Sequence, residues 1–222
     1  MAADGMEPRL VKTPGQYARS KLGPRPADLD SVLRDALLTR TLVPMQVDDN
    51  AGRVLQLLTL AKSPSRAIEV GTYFGYSAIH IARGLPPGAI LTTIEIDAEV
   101  AAVAHANFER CEVADCIDLV VADAAEYLGT LEADTFDLVF IDGAKRDYPL
   151  YLKLCVPLLK IGGLLIADDA FAEGNFDHEA DADGEAATKG VDAYNSYVCR
   201  SPKFFSAFVE TEHGMLVSYR LS

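Results

Sequence analysis

The chain has 222 residues, half of them hydrophobic, which supplies enough apolar material for a sizeable core and favours a single domain. Its 33 acidic residues outnumber its 20 basic residues and give a formal net charge of -13 at pH 7. Long-range repulsion therefore disfavours nucleic acid and anionic membranes as partners, and small molecules are the expected ligands.

The sequence contains no pattern typical of export or of insertion into a membrane. Its N-terminus lacks a basic segment followed by an apolar one, and its longest apolar runs have only the length of a strand. The 4 cysteines form no C-x-x-C pair and no regular framework, which is typical of reduced thiols that serve packing. We therefore expect a cytoplasmic protein without a disulfide or a zinc site.

Residues 1–43 are predicted to form an arm and a helix ahead of a core over 44–222, all within one domain. Apolar residues at helical spacing predict that this helix begins at Asp28 or Asp30 and ends near Arg40. Either aspartate would cap the N-terminus of the helix with its carboxylate.

From residue 48 onward, helical patterns alternate with short apolar runs that are bounded by glycine and proline. Strands are predicted at 66–70, 90–96, 117–121, 136–141 and 163–168. Helices are predicted at about 48–61, 75–83, 98–110, 123–131 and 147–158. Strand–helix repeats of this kind predict a parallel sheet that is covered by helices on both faces.

The C-terminal part follows a different pattern. An acidic loop over 172–185 and a helix over about 187–200 precede two short apolar segments, 204–210 and 215–221. The turn signal Glu212-His213-Gly214 between these segments predicts a β-hairpin. The predicted architecture is thus a doubly wound α/β fold whose parallel sheet ends in an antiparallel hairpin.

The first predicted strand runs into a glycine turn with the sequence EVGTYFGYS, Glu69–Ser77. Gly71 and Gly75 permit a tight turn and a close backbone approach to a ligand at the carboxyl end of the strand. Because these glycines stand four positions apart, the segment lacks the G-x-G-x-x-G pattern that holds a pyrophosphate. The turn predicts a pocket in which backbone amides and hydroxyls hold a small zwitterionic group. In the alternative interpretation, the glycines serve only the packing of the helix on the strand.

An acid ends the second predicted strand in Ile94-Glu95-Ile96-Asp97, 24 residues after Gly71. A carboxylate at this point accepts hydrogen bonds from both ribose hydroxyls, in dinucleotide enzymes and in nucleoside-cofactor enzymes alike. Asp97 is expected to cap the next helix, which leaves Glu95 as the candidate ligand.

Three aspartates and a lysine follow two strands that a doubly wound sheet places side by side. Asp142 and Lys145 follow the fourth strand, and Asp168 and Asp169 follow the fifth. Close carboxylates repel each other, and a hard divalent cation with oxygen ligands, such as magnesium, manganese or calcium, would relieve that repulsion. In the alternative interpretation, these acids cap the following helices and contact solvent.

Two further features of the sequence are predicted to carry no chemistry. The segment Glu179–Gly184 resembles the start of a calcium loop, but Gly190 occupies the position where the bidentate glutamate is needed. We therefore expect a solvated loop beside the pocket. The isolated histidines lack metal-site spacing and are expected at the surface or in packing roles: His80, His105, His178 and His213.

Taken together, the segments AIEVGTYFGYS, TTIEID, DLVFIDGAKRDYPLYL and LLKIGGLLIADD resemble class I S-adenosylmethionine-dependent O-methyltransferases. They are most similar to the cation-dependent caffeoyl-CoA and catechol O-methyltransferases, in particular to the bacterial members, and the similarity extends from Val43 to the C-terminus. The resemblance implies a Rossmann-like, doubly wound sheet of seven strands with an antiparallel last strand. It further implies a homodimer that transfers a methyl group from S-adenosyl-L-methionine to a hydroxyl of a catechol-like phenolic substrate, assisted by a divalent metal.

The resemblance also assigns roles to individual residues. Lys145 matches the catalytic base and Asn195 an asparagine near the substrate. The metal ligands are implied at Asp142, Asp168 and Asp169. Cofactor contacts are implied at Val47, Glu69, Gly71, Thr72, Tyr73, Ser77, Glu95, Ala124 and Asp142.

The chain departs from the family pattern at two places. Asp169 stands where the family usually has asparagine, and the added charge should tighten cation binding and change the preferred metal, since calcium accepts more carboxylates than magnesium does. Ala172 and Glu173 replace a tryptophan and an asparagine of the plant enzymes, so the plant substrate contacts do not transfer.

Two other functions are compatible with the same fold. A nicotinamide-dependent oxidoreductase would share the sheet and Glu95, although the third glycine of its phosphate-binding turn is missing. A methyltransferase-like domain without catalytic activity would serve as an interaction partner, because a fold does not by itself determine a function.

Overall fold

The computed structural model describes residues 14–172 and 182–222, which form an α/β fold around one seven-stranded sheet. The strands are β1 (Arg66–Val70), β2 (Ile90–Glu95), β3 (Ile117–Val121), β4 (Phe136–Ile141), β5 (Leu159–Ala167), β6 (Phe204–Val209) and β7 (Met215–Arg220). The helices are α1 (Pro14–Lys21), α2 (Ala27–Arg34), α3 (Asp49–Lys62), α4 (Tyr76–Gly84), α5 (Ala98–Arg110), α6 (Ala124–Leu128), α7 (Tyr148–Leu158) and α8 (Ala182–Arg200). A π-helical turn, Asp35–Thr39, extends α2, and two 3₁₀ turns lie at Ala114–Cys116 and Lys145–Asp147.

The sheet has the strand order β3-β2-β1-β4-β5-β7-β6. The pairs from β3 to β5 are parallel, whereas β7 is antiparallel to both β5 and β6. Val70 lies opposite Ile94 and Ile141, and Ile141 lies opposite Ala167, so these four strands end level with one another. The predicted sheet and hairpin are confirmed, and the side chains that follow the four strands meet at one edge.

Helices cover both faces of the sheet because the strands are apolar on both sides. On one face, Leu55 of α3, Ile79 of α4 and Phe108 of α5 belong to one buried cluster. On the other face, Leu152 of α7 and Tyr194 of α8 belong to a second cluster. The sheet separates two cores and is rigidly held between them, which fixes the position of its carboxyl-terminal edge.

Of the two helix caps predicted from the sequence, that of α5 is confirmed and that of α2 is wrong. Asp48 accepts hydrogen bonds from the Asn50 and Ala51 amides at the start of α3, and Asp97 caps α5 in the same way. The prediction that Asp28 or Asp30 caps α2 is wrong, because the helix begins one residue earlier, after Pro26, and both aspartates lie in its first turn. Acidic side chains remain favourable there through the helix dipole.

Three element boundaries differ from those predicted by about three residues or more. β5 begins at Leu159 and not at residue 163, because Leu159 is buried opposite Phe136 and the strand continues through Gly162 and Gly163. Helix α6 ends at Leu128, and α8 begins at residue 182. Most of the predicted acidic loop, including its calcium-like segment and His178, lies outside the described residues.

The remaining general predictions concern thiols and membrane insertion. Cys111, Cys116, Cys155 and Cys199 all carry free thiols in this structure. Within the described ranges, every helix is too short or too polar to cross a bilayer.

Candidate active site

A cavity of about 760 Å³, here called the main cavity, opens at the carboxyl-terminal edge of β1, β2, β4 and β5. Its volume lies in the range typical of small-molecule sites, and its position is the one that doubly wound sheets use for ligands. Ten of the predicted site residues line it: Gly71, Thr72, Tyr73, Ser77, Glu95, Ala124, Asp142, Lys145, Asp168 and Asp169.

The glycine turn after β1 is tightly packed against the end of β4. Gly71 has φ +94°, and a β-carbon on this residue would lie 2.5 Å from the carbonyl oxygen of Asp142. The amides of Gly71 and Thr72 both donate to the carbonyl of Ile94, and the Tyr73 amide donates to Glu95. The prediction that backbone amides of this turn hold a ligand is therefore wrong for these three residues, whose amides hold the turn itself.

Glu69 lies beneath this turn and does not line the main cavity. Its side chain is fully buried, with Oε2 2.5 Å from the Thr93 hydroxyl and a further hydrogen bond from Ser77. Burial raises the pKa of Glu69 to about 8, although the bonds from Ser77 and Thr93 oppose this shift. Glu69 thus supports the turn from below, and its direct contact with a cofactor stays a prediction.

Glu95, by contrast, lines the main cavity, and two hydrogen bonds hold its carboxylate in place. The Tyr73 amide donates to its Oε2 at 2.7 Å, and the Asp97 amide donates to its Oε1 at 3.0 Å. Each carboxylate oxygen keeps a further lone pair for another donor. This fixed carboxylate, beside Ala124 at the start of α6, suits the predicted contact with a ribose.

The predicted lysine and aspartates do come together. Lys145 Nζ lies 2.6 Å from Asp142 Oδ1 and 3.8 Å from Asp169 Oδ2, and it donates to the Tyr148 hydroxyl at 3.0 Å. Burial by itself would lower the pKa of Lys145, but the negative charges of Asp142 and Asp169 raise it well above its ordinary value. The lysine is therefore held as an ammonium ion in this arrangement.

Asp168 and Asp169, which follow β5, complete a cluster of three aspartates with Asp142. This cluster is here called the acidic group. Burial, followed by the negative charge of Asp142, raises the pKa of Asp168 well above its ordinary value. Asp168 Oδ1 and Asp169 Oδ1 are both buried without a hydrogen-bond partner. Such oxygens are expensive to bury unless another group binds them.

The donor set fits a hard divalent cation, although the described residues form no ready-made site. Within residues 14–172 and 182–222, no group of three or more His, Cys, Asp or Glu side chains is arranged to hold a metal ion. The oxygen-only chemistry and the two unpartnered carboxylate oxygens nevertheless suit magnesium, manganese or calcium. The ammonium group of Lys145 supplies the local positive charge in this structure.

Besides Glu69, two predicted site residues lie away from the main cavity. Asn195 of α8 donates from Nδ2 to the carbonyl of Ala170 at 2.8 Å, so it holds the segment that follows Asp169. Val47 is buried and faces a second cavity. Contacts of Asn195 with a substrate and of Val47 with a cofactor stay predictions.

The second cavity, here called the side cavity, has a volume of about 310 Å³ and adjoins the main cavity. The two share four lining residues: Pro44, Gln46, Tyr76 and His213. The side cavity is lined in addition by Arg25, Asp48, Asp49 and Glu212, among others.

Sequence reasoning missed three residues that shape the site. The Tyr148 hydroxyl bonds Lys145 and lies within hydrogen-bonding distance of the carbonyls of Ile141 and Asp168, so it joins the ends of β4 and β5. Thr93 connects Glu69 to the glycine turn. His213 faces both cavities, which no local pattern could reveal, because only the pairing of β7 with β5 brings the hairpin turn to this edge.

Comparison with known proteins agrees with this geometry. The profile of the O-methyltransferase family matches residues 27–221. The chain belongs to the O-methyltransferase family. It is 33% identical over 181 residues to a catechol O-methyltransferase from Mycobacterium tuberculosis, a match that covers 75% of this chain and 82% of that protein. It is 31% identical over 201 residues to the catechol O-methyltransferase of Mus musculus, covering 86% and 73% of the two chains.

Solved structures of O-methyltransferases have the same fold. The enzyme from Bacillus cereus, crystallised with SAH, is 25% identical and superposes with a TM-score of 0.82 over 93% of this chain and 96% of that one. An O-methyltransferase from Streptomyces achromogenes in complex with SAM is 26% identical, with a TM-score of 0.81 over 94% and 96% of the two chains.

The protein is therefore an S-adenosylmethionine-dependent O-methyltransferase of class I, related to the catechol and caffeoyl-CoA enzymes. The predicted family, fold and enzyme class are confirmed. The oxidoreductase alternative has no support from these relatives, and the interaction-domain alternative is not favoured.

Proposed function

We propose that this O-methyltransferase methylates one hydroxyl of a catechol-like aromatic small molecule with the help of a divalent metal. The observation that carries the proposal is the group of Asp142, Lys145, Asp168 and Asp169 on the wall of the main cavity. The carboxylate oxygens of this group suit a hard divalent cation, and such a cation would attract the two adjacent oxygens of a vicinal diol. The nearby lysine is a candidate to accept a proton from one of them.

The main cavity has room for a cofactor and an acceptor next to each other. S-adenosylmethionine, when bound, supplies a methyl group on a positively charged sulfonium. We assign its ribose to Glu95, its adenine to the neighbourhood of Ala124, and its amino acid part to the region of Gly71 and Ser77. These groups would hold the reacting atoms in line, and the two cores would keep that alignment rigid.

The acidic group would hold the metal through Asp142, Asp168 and Asp169. A divalent metal, when bound, supplies Lewis-acid polarisation of a hydroxyl and a positive charge that offsets the carboxylates. We assign Lys145 as the general base, whose Nζ would accept the proton of the reacting hydroxyl. Its proximity to Tyr148 orients that nitrogen toward the acidic group.

The test is an acceptor screen with labelled S-adenosylmethionine over catechols, flavonoids and acyl-CoA thioesters, with and without EDTA. We expect methylation of catechols that EDTA abolishes and that added Mg²⁺ or Mn²⁺ restores. Methylation of a catechol that persists in excess EDTA would contradict the metal's role, and transfer only to monophenols would contradict the acceptor class.

We further propose a homodimer, as the resemblance implies, and a location in the cytoplasm. Static light scattering of the purified protein tests the dimer, and a monomer at micromolar concentration would contradict it. Fractionation of the cells that produce the protein tests its location.

A further inference from the structure

Tyr148, the first residue of α7, places one hydroxyl group at the point where β4 and β5 end. Its side chain is fully buried, and the ring of Tyr194 from α8 packs edge-on against its ring at a centroid distance of 5.6 Å. Both tyrosines belong to the core that α7 and α8 form on one face of the sheet. Because this core is closely packed, it fixes the position of the Tyr148 hydroxyl.

Three polar groups lie within hydrogen-bonding distance of this hydroxyl. Lys145 Nζ donates to it at 3.0 Å, and the carbonyl oxygens of Ile141 and Asp168 lie 3.2 and 3.1 Å away from it. A tyrosine hydroxyl has one proton to donate and also accepts hydrogen bonds. It therefore accepts from the lysine while it donates to one of the carbonyls or shares its proton between the two.

The two carbonyls belong to the backbone that carries the acidic group. Ile141 directly precedes Asp142, and its carbonyl also accepts from the Asp168 amide at 3.1 Å. The last residue pair in the ladder between β4 and β5 is Ile141 with Ala167. The Asp168 carbonyl lies past this end, so the Tyr148 hydroxyl links the two strands where the ladder no longer does.

The third contact holds the ammonium group of Lys145. This lysine lies in the 3₁₀ turn before α7, and its Nζ pairs with Asp142 Oδ1 at 2.6 Å as well as with the Tyr148 oxygen. A lysine side chain has many rotamers, and ordering it costs conformational entropy. Two acceptors, the Asp142 carboxylate and the buried Tyr148 hydroxyl, therefore determine where its nitrogen lies.

We propose that Tyr148 is a positioning residue of this enzyme: its hydroxyl sets the spacing of the strand ends that carry Asp142 and Asp168 and directs Lys145 toward the acidic group. The inference rests on the proposed function, because it concerns a metal held by these aspartates and a proton accepted by Lys145. Tyr148 is not among the residues that line the main cavity, so it acts through these groups and not by contact with a ligand.

The experiment compares Tyr148→Phe with the wild type and with Tyr194→Phe, which is the matched control. In both variants phenylalanine keeps the buried ring and removes only the oxygen. The Tyr194 hydroxyl is also buried, but it has no hydrogen-bond partner within the described ranges, so its loss should leave the metal and the reaction unaffected. Calorimetry with the full-length protein gives the Kd for Mg²⁺ and for S-adenosylmethionine, and initial rates give kcat and KM for catechol.

For Tyr148→Phe we expect the Kd for Mg²⁺ to rise by about tenfold, the usual effect of losing a group that orients metal ligands. We expect kcat at saturating Mg²⁺ to fall by about tenfold, as for the loss of one hydrogen bond to a charged group. The KM for catechol and the Kd for S-adenosylmethionine should change little, because the hydroxyl contacts neither ligand.

The Lys145→Ala background tests whether the hydroxyl acts through the lysine. In this background Tyr148→Phe should still weaken Mg²⁺ binding, since the link between the strand ends is lost in the same way. It should lower kcat by about twofold or less, because the side chain that it directs is already absent.

The opposite results would overturn the inference. These are an unchanged Kd for Mg²⁺ or an unchanged kcat in Tyr148→Phe, an equal loss of kcat in the Lys145→Ala background, or equal losses in Tyr194→Phe. A lower melting temperature as the sole effect of Tyr148→Phe would assign the hydroxyl to stability alone and would overturn it as well. All of these results leave the wild-type reaction in place. Absence of Mg²⁺ binding or of catechol methylation in the wild type would instead overturn the proposed function, and the inference with it.

Discussion

At the scale of single residues, the site combines the ammonium group of Lys145 with two carboxylates, Asp168 and Asp169, each of which has one buried oxygen without a hydrogen-bond partner. Lys145 is paired with Asp142 and lies near Asp169, which raises its pKa and keeps it protonated. A protonated lysine cannot accept a proton. Lys145 therefore serves as a base only when another positive charge offsets these carboxylates, which links its proposed role to the divalent metal.

We predict that Lys145→Ala lowers kcat for a catechol by about 100-fold or more, the usual contribution of a general base. The Kd for S-adenosylmethionine, measured by calorimetry, should change little because the cofactor groups lie on other elements. Lys145→Arg is the informative companion, since arginine keeps the charge beside Asp142 but does not release its proton. Wild-type kcat in the arginine variant would show that the lysine acts only as a charge.

Asp169 adds a carboxylate where the family usually has asparagine, and it does so with φ 57°, in the left-handed region where asparagine is well tolerated. We predict that Asp169→Asn keeps activity and folds normally but shifts metal preference toward Mg²⁺ and away from Ca²⁺. Calorimetric titrations of both proteins with Mg²⁺, Mn²⁺ and Ca²⁺ measure the shift. Identical affinity orders would refute it.

At the scale of elements, helix α8 supports the turn that carries Lys145. Gly190 of α8 packs so closely on this turn that a β-carbon would lie 2.3 Å from the Lys145 carbonyl oxygen and 2.9 Å from the Arg146 α-carbon. One turn further along α8, Asn195 holds the segment after Asp169 through the Ala170 carbonyl. The same helix thus positions both halves of the acidic group.

We predict that Gly190→Ala moves the Lys145 turn away from α8 and lowers both kcat and the melting temperature, with a stability loss of about 1 to 3 kcal/mol from overpacking. Gly23→Ala is the control, because a β-carbon there meets no atom within 4 Å. Thermal unfolding and initial rates measure both effects. An unchanged kcat in a destabilised Gly190→Ala protein would show that α8 does not position the site.

At the scale of the whole molecule, two buried titratable groups on different elements make stability depend on pH in opposite directions. His80 of α4 packs against Gly52 of α3, its Nε2 is buried without a partner, and burial lowers its pKa from 6.5 to about 4. Between these values the unfolded chain binds the extra proton, so the free energy of unfolding falls as pH falls.

We predict that the wild type loses up to about 3 kcal/mol of stability through His80 between about pH 6.5 and 4. His80→Gln, which cannot be protonated, should remove most of this slope. Urea unfolding at several pH values measures it. Parallel stability curves for the two proteins over this range would contradict the role of His80.

Glu69 acts in the opposite sense, because its pKa is raised from 4.5 to about 8 in the folded protein. Between these values the folded state binds the extra proton, so the free energy of unfolding falls as pH rises. We predict that Glu69→Gln, which stays neutral, flattens this decline between about pH 4.5 and 8. A decline as steep as that of the wild type would show that Glu69 is ionised in the folded protein.

The sequence alone determined the order of strands and helices along the chain, the end of the parallel sheet in a hairpin, and ten of the residues that line the main cavity. Periodicity and glycine placement are local signals, and parallel strands leave little freedom in where their carboxyl ends meet. For the same reason the positions of Gly71, Glu95, Asp142 and Asp168 at the ends of predicted strands sufficed to place them together. The cap of α2 was missed because the helix begins directly after Pro26, and the start of β5 was missed because buried Leu159 pairs with β4 ahead of the glycines.

Only the tertiary structure decided what these residues meet. It turned the amides of Gly71 and Thr72 toward β2, placed Glu69 beneath the turn, and brought His213 from the hairpin turn to the same edge as Asp142. It also paired Arg25 with Asp49, two residues separated by 24 positions. Such contacts depend on how strands and helices pack across the chain, and no local pattern encodes them. The composition and motifs therefore indicate the cofactor and the chemistry, whereas the packing determines which groups surround each of these residues.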